Sequence, residues 1–159
     1  MNPSILLKTA IEPALSLLPE QMDSPQARRM LIAIALQESG LSERRQIGSW
    51  DNGIPRYGPA RGWWQFEGGG VIGVLRHKAT SPHIAQACHD LGYEDTDPSG
   101  LHRAVEHNDV LACVFARLNL WWLPQPLAEA EEDGWAQYIE AWRPGKPHKE
   151  RWPAAWATV

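Results

Sequence analysis

Several things are scarce in this chain, and each scarcity narrows the answer. Cysteine occurs twice, as Cys88 and Cys113, outside any Cys-x-x-Cys pair and at a spacing that demands no bridge. None of the six histidines, His77, His83, His89, His102, His107 and His148, belongs to a Glu-flanked pair four residues apart, so no zinc site is expected. Glu94-Asp95-Thr96-Asp97 lacks the Gly and terminal Glu of a calcium loop. Gly68-Gly69-Gly70 lacks the Lys-Ser/Thr of a phosphate-binding loop, and no Ser or Cys sits in a nucleophile elbow. The reading is therefore no metal and no cofactor. Basic residues do not predominate: 15 Lys and Arg stand against 19 Asp and Glu, a net charge of −4, with no broad footprint for nucleic acid. No apolar run reaches the ~18 residues of a membrane span. Met1 to Pro19 has no basic segment leading into an unbroken apolar stretch, because Lys8 and Glu12 interrupt it. The expectation is synthesis and folding in a cytoplasm, with thiols reduced.

The 159 residues suffice for one domain with a proper core. An apolar share of 43% and a charged share of 21% fit a globular chain. Phenylalanine is rare, at two residues, whereas tryptophan occurs nine times. An indole is a demanding core filler because its N–H needs a partner. Nine of them point to ligand-stacking surfaces as well as packing.

Strand signals are nearly absent, and the fold class is mainly α. Asn2-Pro3 is an N-cap followed by a proline at the first helical position, opening a helix that ends near Leu18-Pro19. Asp23-Ser24-Pro25 repeats the device for a helix to about Ser39. From Leu41 to Pro59 the periodicity breaks, and glycines and prolines with Asp51-Asn52 predict an irregular or short β-hairpin region. Further helices are predicted at about 70–78, 82–91, 98–106, 109–121 and 133–142. The tail to Val159, with Trp152 and Trp156, is expected to pack across the surface.

The stretch that carries chemistry is Met30 to Gly40. Met30, Leu31, Ile34 and Ala35 recur at helical spacing, Glu38 falls on the same apolar stripe, and Gly40 is the stop signal. Apolar surroundings and the negative helix end both disfavour a carboxylate there, raising its pKa from the usual value of about 4.3. A Glu that holds its proton near neutrality suits general acid catalysis. The alternative is a snorkelling Glu, or one paired with Arg44 or Arg45. A polysaccharide cleft needs such a carboxyl, aromatic faces for sugar rings, and amides for ring substituents. Tyr57, Trp63 and Trp64 offer the second; Gln65 and Asn52 the third.

Glu38-Ser39, a loop, and then Gly62-Trp63-Trp64-Gln65-Phe66 resemble the soluble lytic transglycosylase and goose-type lysozyme group. There a Glu-Ser pair ends a core helix and a Gly-Leu-Met-Gln-apolar motif follows. This chain keeps the Gly and Gln and has Trp-Trp in place of Leu-Met. The family's Ala-Tyr-Asn-Ala-Gly segment finds its nearest match in Trp135-Ala136-Gln137-Tyr138-Ile139, followed by Arg143-Pro144-Gly145, with the Tyr and a nearby Gly kept. Arg61 to Glu67 and Trp142-Arg143-Pro144-Gly145-Lys146-Pro147 look like small lysozyme-like proteins of bacteriophages and prophages.

The resemblance implies a single lysozyme-like domain over 1–159. Its family-like part covers about 25–145, with the N-terminal helix and the Trp-rich tail packed on it. It implies cleavage of peptidoglycan glycan strands between N-acetylmuramic acid and N-acetylglucosamine. Glu38 would protonate the glycosidic oxygen, Ser39 and Gln65 would hold Glu38 or substrate, and Tyr138 would hydrogen-bond near Glu38. Lytic transglycosylases then let the muramic 6-hydroxyl attack, giving a 1,6-anhydro end. Hydrolytic relatives add a second carboxylate, for which Asp51 and Glu67 are the candidates. The wall would be reached through a holin-type pore or inside a phage particle, whose proteins would be partners. Two other classes stand beside this reading. One is a virion or tail component that binds glycan without cutting it. The other is a helical interaction protein, which requires a salt-bridged Glu38 and no groove beside it.

Overall fold

The computed structural model describes residues 1–158. The fold is mainly helical, with one two-stranded antiparallel hairpin after the first helices. The opening helix is interrupted: α1 (Pro3–Leu6) and α2 (Glu12–Ser16) flank a π-helical stretch over Leu7–Ile11. The cause is Pro13, which lacks an N–H and would press its ring on the carbonyl of Thr9 in a regular helix. Widening the preceding turn absorbs the conflict, and the Glu12 N–H reaches back to the Leu7 carbonyl.

The central helix α3 (Pro25–Ser39) starts where the Ser24 side chain accepts from the Ala27 N–H and stops at Gly40, whose φ of +58° is left-handed. Met30 to Ala35 are all buried, so α3 is enclosed on every side there rather than on one stripe. The second enclosed helix is α7 (Asp109–Trp121), capped by Asn108 and buried continuously from Leu111 to Leu118.

Between them the region expected to be irregular or a hairpin is a hairpin. Strand β1 (Arg45–Asp51) pairs with β2 (Ile54–Arg61) around Asn52-Gly53, whose φ values of +49° and +79° suit a tight two-residue turn. Two register shifts near Ile47 mark bulges. The hairpin projects into solvent, with Trp50, Ile54 and Tyr57 exposed, and is tied at its root by Gly62 N–H to the Arg44 carbonyl and by the Arg61–Phe66 bridge.

Helices α4 (Gly68–Arg76) and α5 (Ser81–Asp90) pack on α7, α6 (Pro98–Ala104) packs on α4, and α8 (Glu131–Trp142) follows a proline-rich loop. The tail forms α9 (Trp152–Ala157), which packs on α3 with Trp152 and Trp156 buried. Gly134 in α8 makes this fit, since a Cβ there would overlap the Trp156 ring. Trp135, Tyr138, Trp142, Trp152 and Trp156 thus form one aromatic cluster. Cys88 and Cys113 are both buried and unbridged. No described helix is long and apolar enough to cross a membrane.

Candidate active site

Glu38 sits on the last turn of α3 at the edge of an open cleft of about 820 Å³. Its carboxyl is brought against α8, where the Tyr138 hydroxyl donates to Glu38 Oε1 at 2.6 Å. Tyr138 is itself fixed from behind by Trp152, stacked at a centroid distance of 5.4 Å and 15° between planes. Among the described residues Glu38 has no ion pair. Arg44 is taken by Asp109 (Nη2 to Oδ2 2.8 Å), and the Arg45 guanidinium lies over the Tyr57 ring. Burial raises the Glu38 pKa to about 7 against the pull of the Tyr138 hydrogen bond, and the charge of Glu67 adds to the rise. Burial, with the neighbouring Glu38 adding to it, keeps the Tyr138 hydroxyl protonated far above its ordinary range. A carboxyl that loses its proton near neutrality can give a proton to a leaving oxygen and take one back.

The other expected site residues divide. Gln65 lines the cleft, but its Nε2 donates to the Gly62 carbonyl at 2.8 Å, and its φ of +50° bends the chain over the end of α3. Ser39 does not line the cleft. Its Oγ lies within hydrogen-bond reach of the Ala35 and Trp63 carbonyls, at 2.9 and 2.8 Å, pinning the 62–66 segment to α3.

Trp63 and Trp64 are corrections, because neither offers a face to the cleft. Trp64 is fully buried, and its Nε1 donates to the Leu31 carbonyl at 2.9 Å. Trp63 is buried under the Arg44 guanidinium, 4.3 Å from the ring centroid. The turns at Gly62 (φ +75°) and Gln65 send both indoles inward, where the Trp64 N–H finds a backbone carbonyl and the Trp63 N–H is buried without a partner among the described residues. Tyr57 is exposed but lines a separate groove of about 360 Å³ with Trp63 and Arg45. Of the two second-carboxylate candidates, Asp51 is at the hairpin tip, paired with Arg56 and outside the cleft, whereas Glu67 lines it. Asn52 forms the hairpin turn.

Three further groups of residues complete the cleft, and the first and last of them escaped the sequence reading. Trp142 lines the cleft beside the largely buried Phe66, and the Trp142 Nε1 donates to the Trp64 carbonyl at 2.9 Å. Gly69 and Gly70 offer bare backbone at the start of α4, and a Cβ on Gly69 would meet no protein atom. Arg143, Lys146 and His148 add positive charge and an imidazole from the segment after α8. Their signal was the Trp-Arg-Pro-Gly-Lys-Pro string, to which no role was attached. Among the described residues no three His, Cys, Asp or Glu side chains are grouped as a metal ion would need.

The arrangement is a protonatable carboxyl at the end of a buried helix, a tyrosine holding one of its oxygens, and an open cleft with an indole and a second carboxylate. Set against protein-family models, curated proteins and solved structures, the chain matches none of them, so its functional reading rests on this geometry and on the motif resemblance.

Proposed function

We infer that this chain cleaves the glycan strand of peptidoglycan between N-acetylmuramic acid and N-acetylglucosamine, with Glu38 as general acid and then base. The observation that carries it is the Glu38 carboxyl itself: held by Tyr138, without a cation, at a pKa of about 7 in an open cleft. The requirement for a salt-bridged Glu38 without a groove, made by a plain interaction protein, is not met.

With Oε1 engaged by Tyr138, Oε2 is left to carry the proton to the glycosidic oxygen as the C1–O bond breaks. The Tyr138 hydroxyl then stabilises the carboxylate that forms, a gain realised as charge develops. In the transglycosylase course the 6-hydroxyl of the same muramic ring attacks C1 and its proton returns to Glu38, so no water is consumed. In the hydrolytic course water attacks C1, and Glu67 is the cleft carboxylate available to receive its proton. Trp142 offers the stacking face, and the glycines of α4 let a sugar approach the backbone. The resemblance to phage proteins supports delivery to the wall through a holin-type pore or in a particle.

The test is digestion of purified peptidoglycan by the wild type and by Glu38→Gln, with soluble products weighed by mass spectrometry. Anhydro-muropeptides that vanish in the variant establish transglycosylation; reducing ends establish hydrolysis. Well-folded wild type that binds several wall types and releases nothing refutes the enzyme reading in favour of a glycan-binding particle component.

A further inference from the structure

We propose that the segment Arg143 to His148 makes the cleft selective for glycan bearing carboxylates, with Arg143 and Lys146 as the residues that hold them. This rests on the glycan-cleaving reading of the same cleft. Both side chains line the cleft. Among the described residues neither has an acidic partner, so no carboxylate of the chain competes for them; the Arg143 guanidinium rests on the edge of the cleft, 5.9 Å from the centroid of the Trp122 ring. The hydrogen bond from Arg143 Nε to the Glu140 carbonyl is long, at 3.4 Å, and the Glu140 carboxylate accepts from Gln125 instead. His148, the third group, faces Glu150.

The backbone makes the placement firm. Arg143 closes α8 in the left-handed region (φ 49°, ψ 51°), its N–H donating to the Ile139 carbonyl. Gly or Asn is the usual residue there, and a long cationic side chain is an uncommon choice. Pro144 and Pro147 fix φ on both sides of Gly145 and Lys146. The far end is tied down by Gln37, next to Glu38 on α3, whose Nε2 donates to the His148 carbonyl at 3.0 Å. The two cations therefore stand on a braced arch anchored one residue from the proton donor.

The charge balance of the cleft points to the ligand. With Glu38 protonated, Glu67 is its one carboxylate, against the two cations of Arg143 and Lys146. A neutral polymer of N-acetylglucosamine offers these cations hydroxyl and amide oxygens but no carboxylate. A strand with muramic acid offers carboxylates from two sources: the lactyl group where no peptide is attached, and the peptide stem where one is. Charge-assisted hydrogen bonds to such a group are among the strong ones.

The experiment measures binding by calorimetry, using the full chain with Glu38→Gln to stop turnover. Three ligands are compared: chitotetraose, the alternating N-acetylglucosamine–N-acetylmuramic acid tetrasaccharide without peptide, and the same tetrasaccharide with peptide stems. At least one carboxylated ligand should bind about tenfold or more tighter than chitotetraose, the scale of one charge-assisted bond. Adding Arg143→Gln and Lys146→Gln should erase that preference while the affinity for chitotetraose stays. Lys146→Arg, with Arg143 intact, should retain it. Both residues are exposed, and an unchanged thermal melt shows that the fold is intact. Tight binding of the peptide-free strand assigns the lactyl carboxylate; tight binding of the peptide-bearing strand alone assigns the stem. Equal affinity for all three ligands, or a preference that survives the double substitution, overturns the proposal. Digestion by the wild type without any such preference refutes this inference alone, and preference without digestion refutes the cleavage reading alone.

Discussion

Replacing Glu38 by Gln should stabilise the fold at high pH and do nothing at low pH. The Glu38 pKa is about 7 in the folded chain against an ordinary 4.5, with burial as the largest cause. A carboxyl raised on folding favours the folded state most when protonated. Its stability is whole below pH 4.5, falls as pH rises toward 7, and stays lost above. The rise from 4.5 to about 7 corresponds to ~3 kcal/mol at about 1.36 kcal/mol per unit. Gln is neutral throughout, nearly isosteric, and can still accept from the Tyr138 hydroxyl. The two proteins should therefore melt together near pH 4.5, while at pH 8.5 the variant should lead by ~3 kcal/mol, on the order of 6–12 °C for a chain of this size. Urea titrations of both proteins at the two pH values measure this, and every other titrating group cancels in the difference. A stability difference independent of pH, or one favouring the wild type at pH 8.5, would refute the burial argument. The same substitution should slow glycan cleavage at least about 100-fold, or ~2.7 kcal/mol in barrier. Gain and loss in one variant are what a group kept for chemistry rather than stability produces.

Other outcomes follow from the same geometry. Tyr138→Phe removes the hydrogen bond that favours the Glu38 carboxylate; the alkaline limb of the pH–rate profile should move up from about 7, by roughly one unit for a bond of ~1.5 kcal/mol. Glu67→Gln should move that limb down, because a negative neighbour is lost, whereas Asp51→Asn at the hairpin tip should leave the profile unchanged. Trp152→Ala should cost ~3–5 kcal/mol in denaturant unfolding, the scale of emptying a buried indole site. Cys88 and Cys113, buried and with thiol pKa values pushed up by burial, should resist a thiol reagent in the folded chain and react on unfolding.

What local spacing encodes was legible in the sequence. The stop at Gly40, the cap at Asn108 and the Asn52-Gly53 turn are short-range signals, and the structure has an element boundary at each. Glu38 was legible because an acidic residue interrupts an apolar stripe, and Tyr138 because the resemblance carried it to the right helix. Trp63 and Trp64 were misjudged because their direction depends on a positive φ at Gln65, which no glycine announces. The depth at which the tail packs was not legible although Trp152 and Trp156 stand one helical turn apart: Trp156 enters a notch at Gly134, and Trp152 is covered by Trp135 and Tyr138, all on another helix. The cations of the 143–148 segment were overlooked because a tertiary tether to Gln37, not a local motif, brings them to the cleft.

The Glu38–Tyr138 contact joins residues 100 positions apart, and Tyr138 is braced by a helix that begins at Trp152. Closing so long a loop costs entropy that is offset only by the packing formed around Glu38. Without that packing Glu38 is a hydrated carboxyl of ordinary acidity, ionised at neutral pH and useless as a proton donor. The acidity of this side chain is thus a property of the completed tertiary structure. A form with α3 intact but α8 and α9 undocked would keep the cleft's principal helix and lose its acid. Loss of the elevated Glu38 pKa would therefore be an early and sensitive sign of partial unfolding, ahead of any large change in helix content.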